Sequence, residues 1–194
     1  IFKVSFLFLS LLLTQIFPQK THQLNSNSEI KEFFISGPYT NEKGNNINPI
    51  DMLDMEYIKD EHLFHNDKIF FNGQIIQSND GTHDINSVLD DTSFAVAYLF
   101  SQINSEESIN GFFLISATDG TKLYVNRKEL YAFYGNNFHV SVEPIIVPLK
   151  KGVNDVVLKV PNKDWDWKLK LKILDKKEGE IYLNKKNNIT EYFQ

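Results

Sequence analysis

The chain has 194 residues, 42% of them hydrophobic and 13% aromatic, which is enough apolar surface for one buried core. Its formal net charge is −5, and its lysines and carboxylates are mixed along the chain, so no basic face indicates a nucleic-acid partner. It contains no cysteine, which excludes disulfides, cysteine-based zinc sites, thiol catalysis and a lipid anchor on cysteine.

The N-terminal segment has the pattern of a secretory signal peptide. One charge, Lys3, precedes a nearly unbroken apolar run that ends at Phe17, and the run is shorter than the roughly 20 residues that span a bilayer. The sequence therefore predicts a signal peptide over residues 1–19, cleaved near Gln19, and a secreted or periplasmic protein; a retained N-terminal anchor is the alternative. Because no initiator Met is present, we expect the chain to be a piece of a longer protein.

Short predicted elements follow in the first half of the chain. A polar lead-in over residues 20–31 is expected to be disordered, and Glu32–Ser36 (EFFIS) reads as a strand that Gly37-Pro38 ends. The segment from Met52 to Phe64 is compatible with a short helix. Lys68–Gln77 predicts a hairpin around Asn72-Gly73, and a polar, turn-rich stretch runs from there to Asp91.

The second half reads as a succession of strands separated by turns. Thr92–Ile103 is almost continuously apolar, as in a strand buried on both faces. The further predicted strands are Gly111–Ala117, Lys122–Val125, Lys128–Phe133, Val142–Leu149, Val153–Val160 and Asp166–Leu174. Period-two segments joined by short turns predict an all-β, antiparallel β-sandwich over residues 32–175.

The last predicted strand has the clearest alternation. Trp165, Trp167 and the apolar residues that follow share one face, whereas Asp166 and three lysines share the other, which predicts one face on the core and one in water. The remainder, residues 176–194, is expected to be a tail or a linker to a further domain, with at most one short strand at Glu180–Leu183.

Four phrases of the sequence resemble the galactose-binding-like jelly-roll module attached to secreted bacterial hydrolases. They are Ile35–Tyr39 (ISGPY), Ala95–Phe100 (AVAYLF), Ala117–Lys128 (ATDGTKLYVNRK) and Leu149–Val160, followed by the Trp-bearing strand. The resemblance covers roughly residues 33–174 and implies a jelly roll with an accessory role. The chain departs from the pattern at Arg127, where the family has a turn glycine, and it lacks an arginine in the loop Tyr134–His139.

Metal-ligating and catalytic motifs are weak. His62 and His65, with Glu61 and Asp67 nearby, do not have metalloprotease spacing and are better read as a solvated polar loop. No Gly-x-Ser-x-Gly elbow occurs. No cofactor is predicted, and a single structural calcium in a sandwich loop is the one ion that the sequence leaves open.

The expected strand directions predict one ligand-binding end. If neighbouring strands alternate in direction, the loops Thr118–Gly120, Tyr134–His139 and Pro161–Trp165 meet at the same end. An aromatic plane beside amides and carboxylates suits a sugar ring. Alternatively, Trp165 continues the buried row of Trp167, and this end packs on a neighbouring domain. The candidate ligand-binding residues are Asp119, Tyr134, Asn136, Asn137, His139, Asp164 and Trp165.

The sequence thus predicts a non-catalytic accessory module of an exported bacterial protein. Carbohydrate binding is the first hypothesis, and docking on a downstream hydrolase or peptidase domain is the second; an enzyme in its own right is a distant third. The expected partners are a glycan and a catalytic domain of the same chain, with no nucleic acid and no stable membrane insertion.

Overall fold

The computed structural model describes residues 21–24, 28–40, 49–58, 73–90, 92–135, 139–140, 144–163 and 166–191. These residues form thirteen strands and three helices, which confirms the predicted all-β class. In chain order they are β1 (Thr21–Gln23), β2 (Ser28–Glu29), β3 (Glu32–Thr40), α1 (Pro49–Asp54), β4 (Gln74–Gln77), β5 (Thr82–Asp84), α2 (Asn86–Leu89), β6 (Ala95–Ser105), β7 (Ile109–Ala117), β8 (Thr121–Val125), β9 (Lys128–Phe133), β10 (His139–Val140), β11 (Ile145–Leu149), β12 (Gly152–Asn162), β13 (Lys168–Leu174) and α3 (Lys176–Glu191).

The strands form two sheets. The first runs β4-β3-β6-β12-β8-β9, and β1 adds to β6 in the parallel direction. The second runs β10-β7-β13-β2, with β11 also paired to β7 and β5 also paired to β13. Apart from the pair of β1 with β6, every strand pair among the described residues is antiparallel.

The core lies between the two sheets and follows the alternation that the sequence predicts. On β13, Leu169 and Leu171 are fully buried, as is Trp167 just before the strand, whereas the intervening lysines are partly exposed. Strand β6 is buried on both faces, as predicted for Thr92–Ile103. Its second face is covered because α1 and the residues after it pack on the outside of the first sheet.

Two predictions about the ends of the domain are wrong. Residues 21–23 and 28–29 are strands rather than a disordered lead-in, and Ile30 has no exposed surface. In place of a short strand at Glu180–Leu183, the tail forms α3. Asp175 caps this helix by accepting a hydrogen bond from the Glu178 amide at 2.8 Å, an Asp-x-x-Glu helix-start signal that the strand prediction overlooked.

Helix α3 lies close to β7. A Cβ added to Gly179 would lie 2.2 Å from the Phe112 ring, so only glycine permits this approach. Elsewhere the predicted elements extend beyond the described residues: the signal segment, part of the Met52–Phe64 helix, the first strand of the Lys68–Gln77 hairpin, and the His62–His65 loop. No helix among the described residues is both long enough and apolar enough to cross a membrane.

His83 on β5 is fully buried and makes stability depend on pH. Its Nε2 donates to the Ile30 carbonyl at 2.8 Å, and its Nδ1 has no hydrogen-bond partner among the described residues. Burial lowers the pKa of His83 below its ordinary value of 6.5, because a proton on Nδ1 would find no acceptor.

We therefore expect the free energy of unfolding to fall as the pH drops below about 6.5, where the unfolded state binds more protons than the folded state. Urea titrations at several pH values would measure this slope. His83→Gln should have a shallower slope than the wild type, and identical slopes would contradict the assignment.

Candidate functional site

The structure places the described parts of the predicted end loops next to one another. Lys159 of β12 pairs with Lys122 of β8, and Phe133 of β9 pairs with Thr121. The loop after β12 therefore lies beside the loop before β8 and the exit of β9. Asp119 confirms this arrangement, because its Oδ2 accepts a hydrogen bond from the Lys163 amide at 2.8 Å.

The individual predicted residues differ in their surroundings. Asp119 is buried and ties two loops together, a structural use of its carboxylate. Tyr134 is exposed, and its hydroxyl donates to Asp54 Oδ1 at 2.9 Å. His139 begins β10 opposite Ala117, in the second sheet. Asn136, Asn137, Asp164 and Trp165 lie outside the described residues, so a binding role for this set stays a prediction.

The contact between Tyr134 and Asp54 leads to a cleft on the outer face of the first sheet. Three residues of neighbouring strands stand in register across this face: Tyr98 on β6, Lys159 on β12 and Lys122 on β8. Two lysines directly opposite each other in a sheet repel, so each requires compensation. Helix α1 and residues 55–58 pack over this face and supply most of it, and Glu129 of β9 supplies a further carboxylate.

Lys159 is the more deeply buried of the two lysines, with 3% of its surface exposed. Its Nζ donates to the backbone carbonyls of Leu53, at 2.6 Å, and Met55. The amine also lies 5.3 Å from the centre of the Tyr57 ring and 5.8 Å from that of Tyr98, within the range of cation–π attraction. Lys159 thus fastens the end of α1 to the sheet.

Lys122 is bound by carboxylates. Its Nζ contacts Asp54 Oδ1 at 2.7 Å and Glu129 Oε2 at 3.5 Å, and it lies 5.6 Å from the centre of the Tyr134 ring. Burial opposes its charge, but the hydrogen bonds to Asp54 and Tyr134 outweigh this and raise the pKa of Lys122. In turn, hydrogen bonds from Lys122 and Tyr134 lower the pKa of Asp54, so that carboxylate is ionised at neutral pH.

These groups surround a cavity of about 260 Å³, which we call the outer-face cleft. It combines tyrosine rings with carboxylates and lysines, a set that can contact an apolar ring face and hydrogen-bond to hydroxyl groups. The described residues contain no group of three or more His, Asp or Glu side chains arranged to hold a metal ion. The lining residues are Leu53, Asp54, Met55, Glu56, Ile58, Tyr98, Lys122, Tyr124 and Lys159.

Sequence reasoning missed the outer-face cleft, although one signal was present. Lys159 interrupts an apolar run between Leu158 and Val160 in a strand whose neighbours are buried. A single lysine in such a run needs a partner, because burying an unpaired charge is costly. Its partners, the carbonyls of Leu53 and Met55, are more than 100 residues away in sequence, so the pattern alone could not name them.

Lys159 leads to a second prediction about the pH dependence of stability. Its pKa is lowered in the folded protein, whereas a lysine that gains a partner usually has a raised pKa. Burial, together with the charge of Lys122, lowers the pKa of Lys159 from 10.5 to about 8. The unfolded state therefore binds more protons above about pH 8, so stability rises with pH. A neutral amine still has two N–H groups for the two carbonyls. We expect the unfolding free energy to increase by about 1 kcal/mol between about pH 8 and pH 9.5, after allowance for solvent screening.

Urea titrations of the wild type and Lys159→Met over this range would measure the effect. The variant should lack the increase. The range stops below pH 10 because burial raises the pKa of Tyr57, Tyr98 and Tyr131, which reverses the slope once unfolded tyrosines ionise. If the free energy of unfolding changed with pH in the same way in the wild type and in Lys159→Met, the lowered pKa of Lys159 would be contradicted.

Comparison with known proteins names no family. No family model matches the sequence, and neither does any curated protein. Among solved structures, a β-glucosidase from Kluyveromyces marxianus has 9% identity and a TM-score of 0.45, over 79% of this chain and 17% of that one. The PA14 domain of the antifreeze protein MpAFP has 13% identity and a TM-score of 0.45, over 77% of this chain and 84% of that one.

A PA14 sugar-binding domain from an RTX adhesin has 14% identity and a TM-score of 0.42, over 74% of this chain and 89% of that one. The chain spans less than a fifth of the length of the β-glucosidase. At these identities and TM-scores the comparisons assign neither a ligand nor an activity. The class of this chain, an all-β sandwich of two packed sheets, rests on its own strand pairing.

Proposed function

We propose that this chain is a non-catalytic carbohydrate-binding module of an exported protein, a jelly roll of the galactose-binding-like kind, whose sugar site is the outer-face cleft. The observation that carries the proposal is that Asp54 and Tyr124 line the same cavity. The hydrogen bond from Lys122 lowers the pKa of Asp54 and keeps its carboxylate ionised. A sugar offers an apolar ring face to the aromatic ring and hydroxyl donors to the carboxylate.

The dimensions of the cleft favour weak recognition of a short stretch of glycan. Its volume of about 260 Å³ is just below the range of about 300–1,000 Å³ for small-molecule sites. A site of this size buries little of a polymer, and modest affinity follows. This suits an accessory module, which only has to keep its polymer nearby.

The state of Asp54 favours binding over catalysis. A general acid for glycoside cleavage needs a carboxyl group whose pKa is raised towards neutrality. The pKa of Asp54 is lowered instead by its hydrogen bonds to Lys122 and Tyr134. An ionised carboxylate with fixed geometry accepts hydrogen bonds from hydroxyl groups but has no proton to give. The apolar run that ends at Phe17 supports the exported setting.

Affinity electrophoresis in gels that contain neutral polysaccharides would test the proposal. We expect the wild-type protein to be retarded by at least one glycan, and Tyr124→Ala to weaken that binding by about tenfold, equivalent to about 1.4 kcal/mol. The matched control is Val153→Ala, an exposed apolar residue at the opposite end of β12, which should bind as the wild type does. Equal retardation of both variants would place the site elsewhere.

Trp165→Ala in the same gels separates the cleft from the loop end predicted from the sequence. Loss of binding in Trp165→Ala with no change in Tyr124→Ala would favour the loop end formed by Thr118–Gly120 and its neighbours. The reverse result would favour the cleft.

A docking role on a hydrolase or peptidase domain is the second candidate. One observation favours it: α3 exposes two large apolar side chains, Ile181 and Tyr182. Absence of retardation by any glycan, together with weaker association of Ile181→Lys with a following domain of the same protein, would support docking over sugar binding.

A further inference from the structure

The accessible charge of the outer-face cleft is negative, although two lysines line it. Lys159 and Lys122 are only 3% and 8% exposed, and each is already bonded to oxygen atoms of the protein. In contrast, the side chain of Asp54, which lines the cleft, is 59% exposed, and that of Glu129, which contacts Lys122 but does not line the cavity, is 44% exposed. A ligand entering the cleft therefore meets carboxylates first.

Asp54 still has hydrogen-bonding capacity towards a ligand. Both Lys122 Nζ and the Tyr134 hydroxyl bond to its Oδ1, and no described residue donates a hydrogen bond to Oδ2. A carboxylate oxygen accepts from hydroxyl groups and cannot donate. A ligand carboxylate or sulfate at this position would instead bring two negative charges together.

The lysines are poorly placed to offset that repulsion. Lys122 lies between Asp54 and Glu129 and under the Tyr134 ring, so pairing with an anionic ligand would require it to leave two carboxylates. Lys159 lies beneath Tyr57 and bonds to the carbonyls of Leu53 and Met55. Glu56, which is exposed and also lines the cleft, adds a further negative charge at its wall.

We propose that the outer-face cleft selects uncharged glycans and discriminates against uronate-containing and sulfated ones, with the Asp54 carboxylate as the residue that determines this specificity. This inference rests on the proposed function, because it names the class of sugar that the same site takes. The net charge of −5 also disfavours acidic glycans, since it opposes the approach of a polyanion.

Pairs of polymers that share a backbone but differ in charge would test the selectivity. The probes are hydroxyethyl cellulose with carboxymethyl cellulose, dextran with dextran sulfate, and laminarin with laminarin sulfate, each in affinity electrophoresis at low salt. We expect the neutral member of at least one pair to bind about tenfold more tightly than its acidic partner, a difference set by charge repulsion. The difference should shrink at about 1 M salt, where the Debye length falls to about 3 Å.

Two variants assign the selectivity to the cleft. Asp54→Asn should weaken binding of the neutral glycan and narrow the ratio of neutral to acidic affinity. Glu56→Gln leaves the Lys122–Asp54 pair in place, so it should narrow the same ratio even if Asp54→Asn is unstable. The control is Glu106→Gln, which removes an exposed carboxylate in the turn after β6, at the opposite end of the sheet from Tyr98, and should leave the ratio unchanged.

The outcomes separate the inference from the proposed function. Acidic members that bind as well as their neutral partners, or better, would overturn the selectivity and leave glycan binding intact. An unchanged ratio in both Asp54→Asn and Glu56→Gln would overturn the role of the cleft carboxylates. Retardation by none of the six probes would overturn the proposed function and the inference together.

Discussion

Replacing Trp167 by alanine is expected to lower the free energy of unfolding by about 3–5 kcal/mol, the range for removing a large aromatic side chain from a core. Trp167 is fully buried and belongs to the core cluster between the two sheets. Its indole Nε1 has no hydrogen-bond partner among the described residues, so the loss comes from packing alone. Urea denaturation followed by circular dichroism would measure it.

Lys170→Ala is the matched control, since Lys170 lies on β13 and faces away from the core that Trp167 fills. Lys170 is partly exposed and bonds to Glu29 at 3.0 Å and to the Asp80 carbonyl at 2.8 Å, a surface pair worth about 1 kcal/mol or less. Comparable losses in Trp167→Ala and Lys170→Ala would mean that the register of β13 is wrong.

Gly120→Ala is expected to cost about 3 kcal/mol and to disturb the entrance of the outer-face cleft. Gly120 has φ of +108°, a conformation that alanine rarely adopts. A Cβ there would lie 2.6 Å from the Phe133 carbonyl oxygen and 3.2 Å from Leu53 Cδ1. We expect relief of this clash to move β9 away from α1, and with it the Tyr134 hydroxyl that bonds to Asp54. Urea titration gives the stability loss, and retardation in a neutral-glycan gel reports the effect on the site.

Gly152→Ala separates backbone strain from collision. Gly152 also has a positive φ, of +91°, but a Cβ there would meet nothing within 4 Å. Gly152→Ala should therefore cost only the strain, about 1–2 kcal/mol, and leave glycan retardation unchanged because this turn lies at the opposite end of β12. Equal losses in the two variants would show that the collision at Phe133 is relieved without cost.

Local patterns predicted those parts of the fold whose stabilising partners are close in sequence. The hairpin of β8 and β9 turns at Asn126 and Arg127, with φ of 49° and 72°. Arg127 thus has a positive φ at the position where the galactose-binding-like family has a turn glycine. The signal for this turn is local, although in the folded chain the Asn126 side chain also bonds to Asn154 and Asp155 on β12, 28 and 29 residues away. The alternation around Trp167 likewise predicted which residues of β13 face the core.

Elements that depend on distant partners were not predictable in this way. The three residues of β1 have no strong strand pattern, and they form a strand because β6 has an open edge at Gln102–Asn104. The outer-face cleft depends on contacts between α1 and residues of β8 and β12 that are 68 to 106 residues distant. The predicted end loops do lie together. The structure also shows a cavity that the sequence did not predict, and Tyr134 contacts it through its hydrogen bond to Asp54.

By itself, the sequence determined the all-β class, the core-facing side of the main strands and the end of the sandwich where the loops Thr118–Gly120 and Pro161–Lys163 meet. Period-two alternation and turn residues act over a few positions, so a single strand carries the whole signal. Only the tertiary structure decided that Lys122 and Lys159 lie side by side, one paired with Asp54 and the other sequestered under Tyr57. The charge that a ligand meets depends on which side chains are buried and paired in space, and that arrangement is set by strand register and by the position of α1.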